Sequence, residues 1–106
     1  MDYNFAPIIL FAFNRPKALR NTIQSLLQNE EAKASDLYVF VDGPRNNKVG
    51  EEKKVKEVQE YVKNIVGFKS LHYTFSDINR GLGNSIITGV SQIINIYGKA
   101  IILEDD

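Results

Sequence analysis

The sequence predicts an α/β domain: a doubly wound parallel sheet in strand order 3-2-1-4, with helices on both faces. Three observations predict it. Short apolar runs alternate with stretches of helical period along the whole chain. The first apolar run shows no inside–outside alternation, as suits a strand covered on both faces. Polar or glycine-containing connections separate the elements, giving the order β-α-β-α-β-α-β, which right-handed crossovers convert into a parallel sheet.

The elements follow in order. Pro7 to Phe13 (Pro-Ile-Ile-Leu-Phe-Ala-Phe) is the first and most buried strand. Asn14-Arg15-Pro16 punctuates it: Asn can cap, Pro favours a first helical turn, and Leu19, Ile23, Leu26 and Leu27 make a stripe for a helix from Pro16 to Gln28. Leu37 to Val41 is a second strand, stopped by the turn Asp42-Gly43-Pro44. After a polar loop, Val55, Val58, Tyr61, Val62, Ile65 and Val66 mark one face of a helix from Glu51 to Val66. Its charged residues, Glu51 among them, read as a solvated face. Leu71 to Phe75 alternates and reads as an edge strand, with His72 structural. Asn79 to Asn84 connects to a helix with the stripe Ile86, Ile87, Val90, Ile93, Ile94 and Tyr97. Gly98 ends that helix, and Ala100 to Leu103 is the fourth, buried strand, followed by Glu104-Asp105-Asp106. Tyr3 and Phe5 are expected to cover the sheet.

Composition bounds the function. At 106 residues the chain is one domain spanning 1–106. Lys+Arg and Asp+Glu balance at 13 each, which leaves no global field for nucleic acid or an anionic membrane. Without cysteine, and with His72 the one histidine, a thiolate or multi-histidine metal site is excluded, so a metal must be a hard cation on oxygen ligands. No signal-type or membrane-spanning stretch is present, so the sequence reads as cytoplasmic, with peripheral membrane attachment open to a longer parent.

In a doubly wound sheet, ligands bind beyond the carboxyl ends of the strands, where the strand order reverses. Here that crevice lies between strands one and four. Asn14 and Arg15 follow strand one, Glu104, Asp105 and Asp106 follow strand four, and Asp42 ends strand two on the same rim. Clustered carboxylates repel and are costly to desolvate, so they are best placed facing water or a divalent cation that could hold a diphosphate. Other α/β chemistries fit less well. The first turn lacks the glycines of a dinucleotide site, no phosphate-loop lysine motif occurs, and a receiver-like domain would want a fifth strand followed by a lysine. A sugar-nucleotide-forming nucleotidyltransferase would want a glycine-rich basic loop after strand one.

Taken in order, Pro7-Ile8-Ile9-Leu10-Phe11-Ala12-Phe13-Asn14-Arg15-Pro16, Val41-Asp42-Gly43, Asn79-Arg80-Gly81-Leu82-Gly83 and Glu104-Asp105-Asp106 resemble the amino-terminal half of an inverting nucleotide-sugar glycosyltransferase of the GT-A fold. The chain is similar to the family 2 group and to the N-acetylglucosaminyltransferase I type, whose acidic motif is also Glu-Asp-Asp. The resemblance implies a nucleotide-diphosphate sugar as ligand, a UDP-sugar, with Mn²⁺ or Mg²⁺ as cofactor. It implies that Asp106 binds the metal, Asp105 accepts from ribose and Glu104 supports sugar or ribose. Asp42 would accept from the base, Arg15 would reach the phosphates with Asn14 beside it, and Arg80 would contact base or phosphate. Gly43-Pro44 departs from the pattern, since many family 2 members carry an acidic residue or Ser after the strand-two Asp.

Such enzymes need further chain for the acceptor and the general base, so the sequence reads as a truncated donor-binding half, inactive alone. Strand four would then show an unpaired apolar edge, Ile101, Ile102 and Leu103, inviting self-association. The alternative is a non-catalytic α/β module that binds a nucleotide or a partner through the same rim.

Overall fold

A computed structural model of the chain describes residues 6–46, 48–79 and 82–104. The order is β1 (Ile8–Ala12), α1 (Pro16–Leu27), a 3-10 turn (Glu30–Ala34), β2 (Asp36–Val41), α2 (Glu51–Lys63), β3 (Ser70–Phe75), α3 (Leu82–Tyr97) and β4 (Ile101–Glu104). The four strands form one parallel sheet in the order β3-β2-β1-β4. This is the expected doubly wound topology.

β1 sits centrally because all five of its residues are apolar and buried, so either face of it can be covered. One face carries α1 and α2. There Ile8, Leu10 and Ala12 of β1 and Leu37, Val39 and Val41 of β2 meet Leu19 and Ile23 of α1 and Val55, Val58 and Val62 of α2. The opposite face carries α3, with Ile9, Phe11 and Ile93 buried and Tyr38, Phe40, Val90 and Tyr97 packed around them. α3 comes down onto the sheet at Gly89, where an added Cβ would lie 3.0 Å from the Phe40 ring, tight enough that the ring would have to give.

Some expected details are corrected. α2 ends at Lys63 rather than Val66: the backbone leaves helical geometry at Asn64, with φ −107° and ψ 7°, and Val66 is exposed. α3 begins at Leu82, so Leu82 to Asn84 belong to the helix rather than to its connection. Ile94 is exposed and leaves the buried stripe, while Ile86 and Ile87 lie outside the described side chains. The fourth strand is not buried: Ile101 and Ile102 point to opposite faces and are 48% and 45% exposed, because β4 is an edge strand that pairs with β1 alone. Gly98 does end α3, at φ 79°, with its N–H bonded to the Ile94 carbonyl. His72 stacks on Tyr38 and bonds Ser70, a structural placement as read. Tyr3, Phe5 and Gly81 lie outside the described residues. Among the described residues no helix is long and apolar enough to cross a membrane.

Candidate functional site at the carboxyl end of the sheet

Parallel pairing fixes which side chains share a rim. Ala12 pairs with Val41, and Phe11 with Glu104. The residues just past β1 and β2 therefore emerge at the same end as the last residue of β4. Asn14, Arg15 and Asp42 follow those strands, and Glu104 closes β4 as an exposed carboxylate. Four of the site residues expected from the sequence thus stand at one end of the sheet. Arg80, Asp105 and Asp106 lie outside the described residues.

The turn after β1 is shaped by proline. Arg15 is the residue before α1, with φ −122° and ψ 80°, and Pro16 opens the helix, as its fixed φ and missing N–H suit. Asn14 does not cap this helix; its side-chain amide donates to Glu51 Oε2 at 3.1 Å. Arg15 is exposed, and it lines an open groove of about 440 Å³ together with Asn14, Pro16, Lys17, Ala18, Asn21 and Lys54. Among the described residues, its lining carries three cations, Arg15, Lys17 and Lys54, and no carboxylate, beside a helix start that itself carries partial positive charge. Lys17 and Lys54 were not expected from sequence; each sits on a helix whose polar face reads as solvated.

The loop after β2 is held from several sides. The Asp42 N–H continues the sheet by donating to the Ala12 carbonyl at 3.0 Å. Asp42 is buried, at 9% exposure, and its Oδ1 accepts the Gly43 N–H at 2.9 Å, so a turn role and a place on the rim coincide in one residue. An added Cβ on Gly43 would fall 2.6 Å from the backbone of Ile78, and Asn79 Nδ2 donates to the Gly43 carbonyl at 3.0 Å. Glycine at 43 is what lets the loop after β3 rest on the loop after β2.

The residue that sequence reasoning missed is Glu51. Expected on a solvated face, it is buried at 5% exposure and gathers the rim loops. Oε1 accepts the Arg45 backbone N–H at 2.8 Å and Arg45 Nε at 2.9 Å, while Oε2 accepts Arg45 Nη2 at 2.6 Å and the Asn14 amide. Hydrogen bonding from the Arg45 side chain, opposed by desolvation and helped by the Arg45 N–H, holds the Glu51 carboxyl down at about 2. Arg45 also lies 5.6 Å above the Phe13 ring, so one guanidinium is gripped by a carboxylate and by an aromatic face from the end of β1. The signal was present in the sequence. Glu51 stands four residues before Val55, on the same stripe as Val58 and Val62, and a carboxylate on a buried stripe must find donors.

A second polar cluster lies at the opposite end of the sheet. Asp36, at the start of β2, accepts from Ser70 at 2.5 Å and from the Tyr97 hydroxyl at 2.9 Å, and Tyr97 and Tyr38 share a 2.8 Å bond. Burial pushes the Asp36 carboxyl up, but the two hydroxyl bonds together with the charges of Lys69 and His72 outweigh it, and the net shift is downward. Those same bonds, Tyr38 first, push the Tyr97 hydroxyl up. Ser70 here gives its proton to Asp36 and sits 3.0 Å from His72 Nε2, the reverse of the order that would activate a nucleophile. This cluster ties α3 to β2 and β3.

Among the described residues no three His, Cys, Asp or Glu side chains converge as a metal-ligand group. Comparisons with protein-family models, with characterised proteins and with solved structures return no significant match.

Proposed function

We propose that this chain is the donor-binding half of an inverting glycosyltransferase, which moves a sugar from a nucleotide-diphosphate sugar to an acceptor hydroxyl. The observation that supports this reading above the others is the shared rim. With β1 and β4 adjacent and the order reversing between them, Asn14, Arg15 and Glu104 flank the crevice in which doubly wound sheets bind ligands, and Asp42 stands one strand away.

Each residue then has work its chemistry can do. Arg15, joined by Lys17 and Lys54 along the groove, would receive the diphosphate at the start of α1. Asp42 would accept from the base, Asp105 would accept from ribose, Glu104 would support ribose or sugar, and Arg80 would contact base or phosphate. Asp106 would hold Mn²⁺ or Mg²⁺, for which carboxylate oxygens are suitable ligands; the exposed Glu104 ends β4 two residues before it. When bound, the cation would neutralise charge on the departing diphosphate. The chain's own part is to bind and orient the donor so that the sugar carbon is open to in-line attack. The proton of the acceptor hydroxyl would pass to a base outside this donor-binding half.

Calorimetry with UDP, with and without Mn²⁺, tests the reading. The expected result is binding that needs the metal and is lost in Asp106→Ala. Binding indifferent to metal would replace this reading with a non-catalytic nucleotide-binding module, and no nucleotide binding would overturn it.

A further inference from the structure

We infer that the chain carries a second binding site, on the outer side of α1 and α2, for a short acidic oligosaccharide. Arg20, Lys53 and Lys56 hold its carboxylates, and Glu57, Glu60 and Asn64 accept from its hydroxyls. This site lies outside the crevice at the rim and does not depend on the donor-binding reading.

The site is an open groove of about 560 Å³ whose walls come from two helices. Pro16 and Arg20 line it from α1, one turn apart. From α2 come Lys53, Lys56, Glu57, Glu60, Tyr61 and the capping residue Asn64, at spacings of three and four, which makes one continuous stripe about 16 Å long. Charge is divided along that stripe. Lys53 and Lys56 stand toward the start of α2, and Glu57, Glu60 and Asn64 toward its end. The Arg20 guanidinium lies 5.5 Å above the Tyr61 ring, so a planar donor is held against an aromatic face. Among the described residues no carboxylate forms an ion pair with Arg20, Lys53 or Lys56. The acceptors at the other end are prepared in their own way. Asn64 Nδ2 donates to the Glu60 carbonyl at 2.7 Å, which leaves its side-chain oxygen as an acceptor. Glu60 Oε1 sits 3.5 Å from Lys63 Nζ, so part of its charge is already compensated.

This mixture of groups selects the ligand. A flat bilayer does not enter a concave groove. A single nucleic-acid strand also favours cations beside an aromatic ring, but it carries a charge on every unit, and here two carboxylates and an amide oxygen stand in the path of its phosphates. An acidic peptide meets the same objection, because its ionised side chains only accept. A chain of uronic acid sugars brings both kinds of group. Its carboxylates answer the three cations, its hydroxyls donate to the acceptors, and Pro16 and Tyr61 supply apolar surface for the C–H groups of a sugar ring.

Equilibrium binding of a galacturonate tetramer tests the site, against a neutral glucose tetramer, a glutamate tetrapeptide and a short thymidine oligonucleotide at one salt concentration. The proteins are the wild type, Lys53→Gln/Lys56→Gln and Glu57→Ala/Glu60→Ala, each with its unfolding midpoint measured to confirm that it is folded. The wild type should prefer the galacturonate tetramer to each of the other three by about tenfold. Lys53→Gln/Lys56→Gln should weaken that binding roughly fivefold, as two exposed charge contacts are worth. Glu57→Ala/Glu60→Ala should weaken it as well, while strengthening the oligonucleotide, which gains from the loss of two negative charges. Equal binding of the peptide or the oligonucleotide by the wild type would make the groove a general anion patch and overturn the inference. Equal binding of the neutral tetramer would remove the cations from the recognition and overturn it too. Galacturonate binding that tightens when both carboxylates are removed overturns their part in holding hydroxyls, and no galacturonate binding overturns the whole. No nucleotide diphosphate enters these measurements, so the donor-site reading stands or falls separately.

Discussion

The two faces of the sheet are covered by different kinds of side chain. Among the described side chains, twelve residues are buried in one cluster on the α1/α2 face and three on the α3 face, where aromatic rings do much of the covering. Phe11 stacks on Phe40 with centroids 5.5 Å apart, and Tyr38 meets Tyr97 edge-on at 6.0 Å. The first face is an aliphatic core drawn from β1, β2, α1 and α2. The second depends on one helix, a close approach at Gly89 and a hydroxyl network. Asn14, Arg15, Asp42 and Glu51 all stand on loops and helix starts rooted in the aliphatic face, while Glu104 ends the least covered strand.

Truncations at matched positions should expose that difference. Leu10→Ala, at a fully buried position in the middle of β1 on the α1/α2 face, is expected to cost roughly 3–4 kcal/mol in urea unfolding. Ile93→Ala, buried on the α3 face among half-covered neighbours that can close in, should cost about 2 kcal/mol. Equal costs would mean that the two faces are packed equally tightly, and the contrast would fall.

A smaller effect comes from the hydroxyl network. Tyr97→Phe keeps the ring but removes the bonds to Asp36 and Tyr38, so a loss of about 1 kcal/mol is expected, together with a rise in the Asp36 titration point. A variant as stable as the wild type, with Asp36 unmoved, would show that α3 is held by its rings alone.

The last contrast concerns Glu51, whose contribution is present at neutral pH and fades in acid. Its carboxyl is held at about 2 against an ordinary 4.5, so its contribution is complete above pH 4.5 and is lost as the pH falls toward 2. The stability difference between the wild type and Glu51→Gln should accordingly shrink across that window, as followed by thermal unfolding at each pH. A difference that stays constant through the window would mean that Glu51 is not held ionised by Arg45.

Much of the scaffold was legible because its signals are periodic. The unalternating run from Pro7 to Phe13 marked the central strand, the stripes Leu19–Ile23 and Val55–Val58–Val62 marked helices, and crossover handedness supplied the order. The 3-10 turn at Glu30–Ala34 was missed because its one buried residue, Ala32, sits among exposed charged neighbours and leaves no pattern. Of the site, strand order placed Asn14, Arg15, Asp42 and Glu104 on one rim. Glu51 escaped because its charge spoke louder than its position: a carboxylate among lysines reads as solvent-facing until its donors, Asn14 far upstream and Arg45 six residues back, are brought together by tertiary structure. Lys17 and Lys54 converge for the same kind of reason, from two helices that meet on one face.

The contact between Gly43 and the Ile78 backbone carries a consequence for divergence. A side chain at 43 cannot be accommodated by turning a rotamer, because what it meets is main chain on another loop. Among relatives of this chain, any residue larger than glycine at 43 should arrive with a changed length or course of the segment around 78 and 79, so that two stretches far apart in sequence drift as a pair.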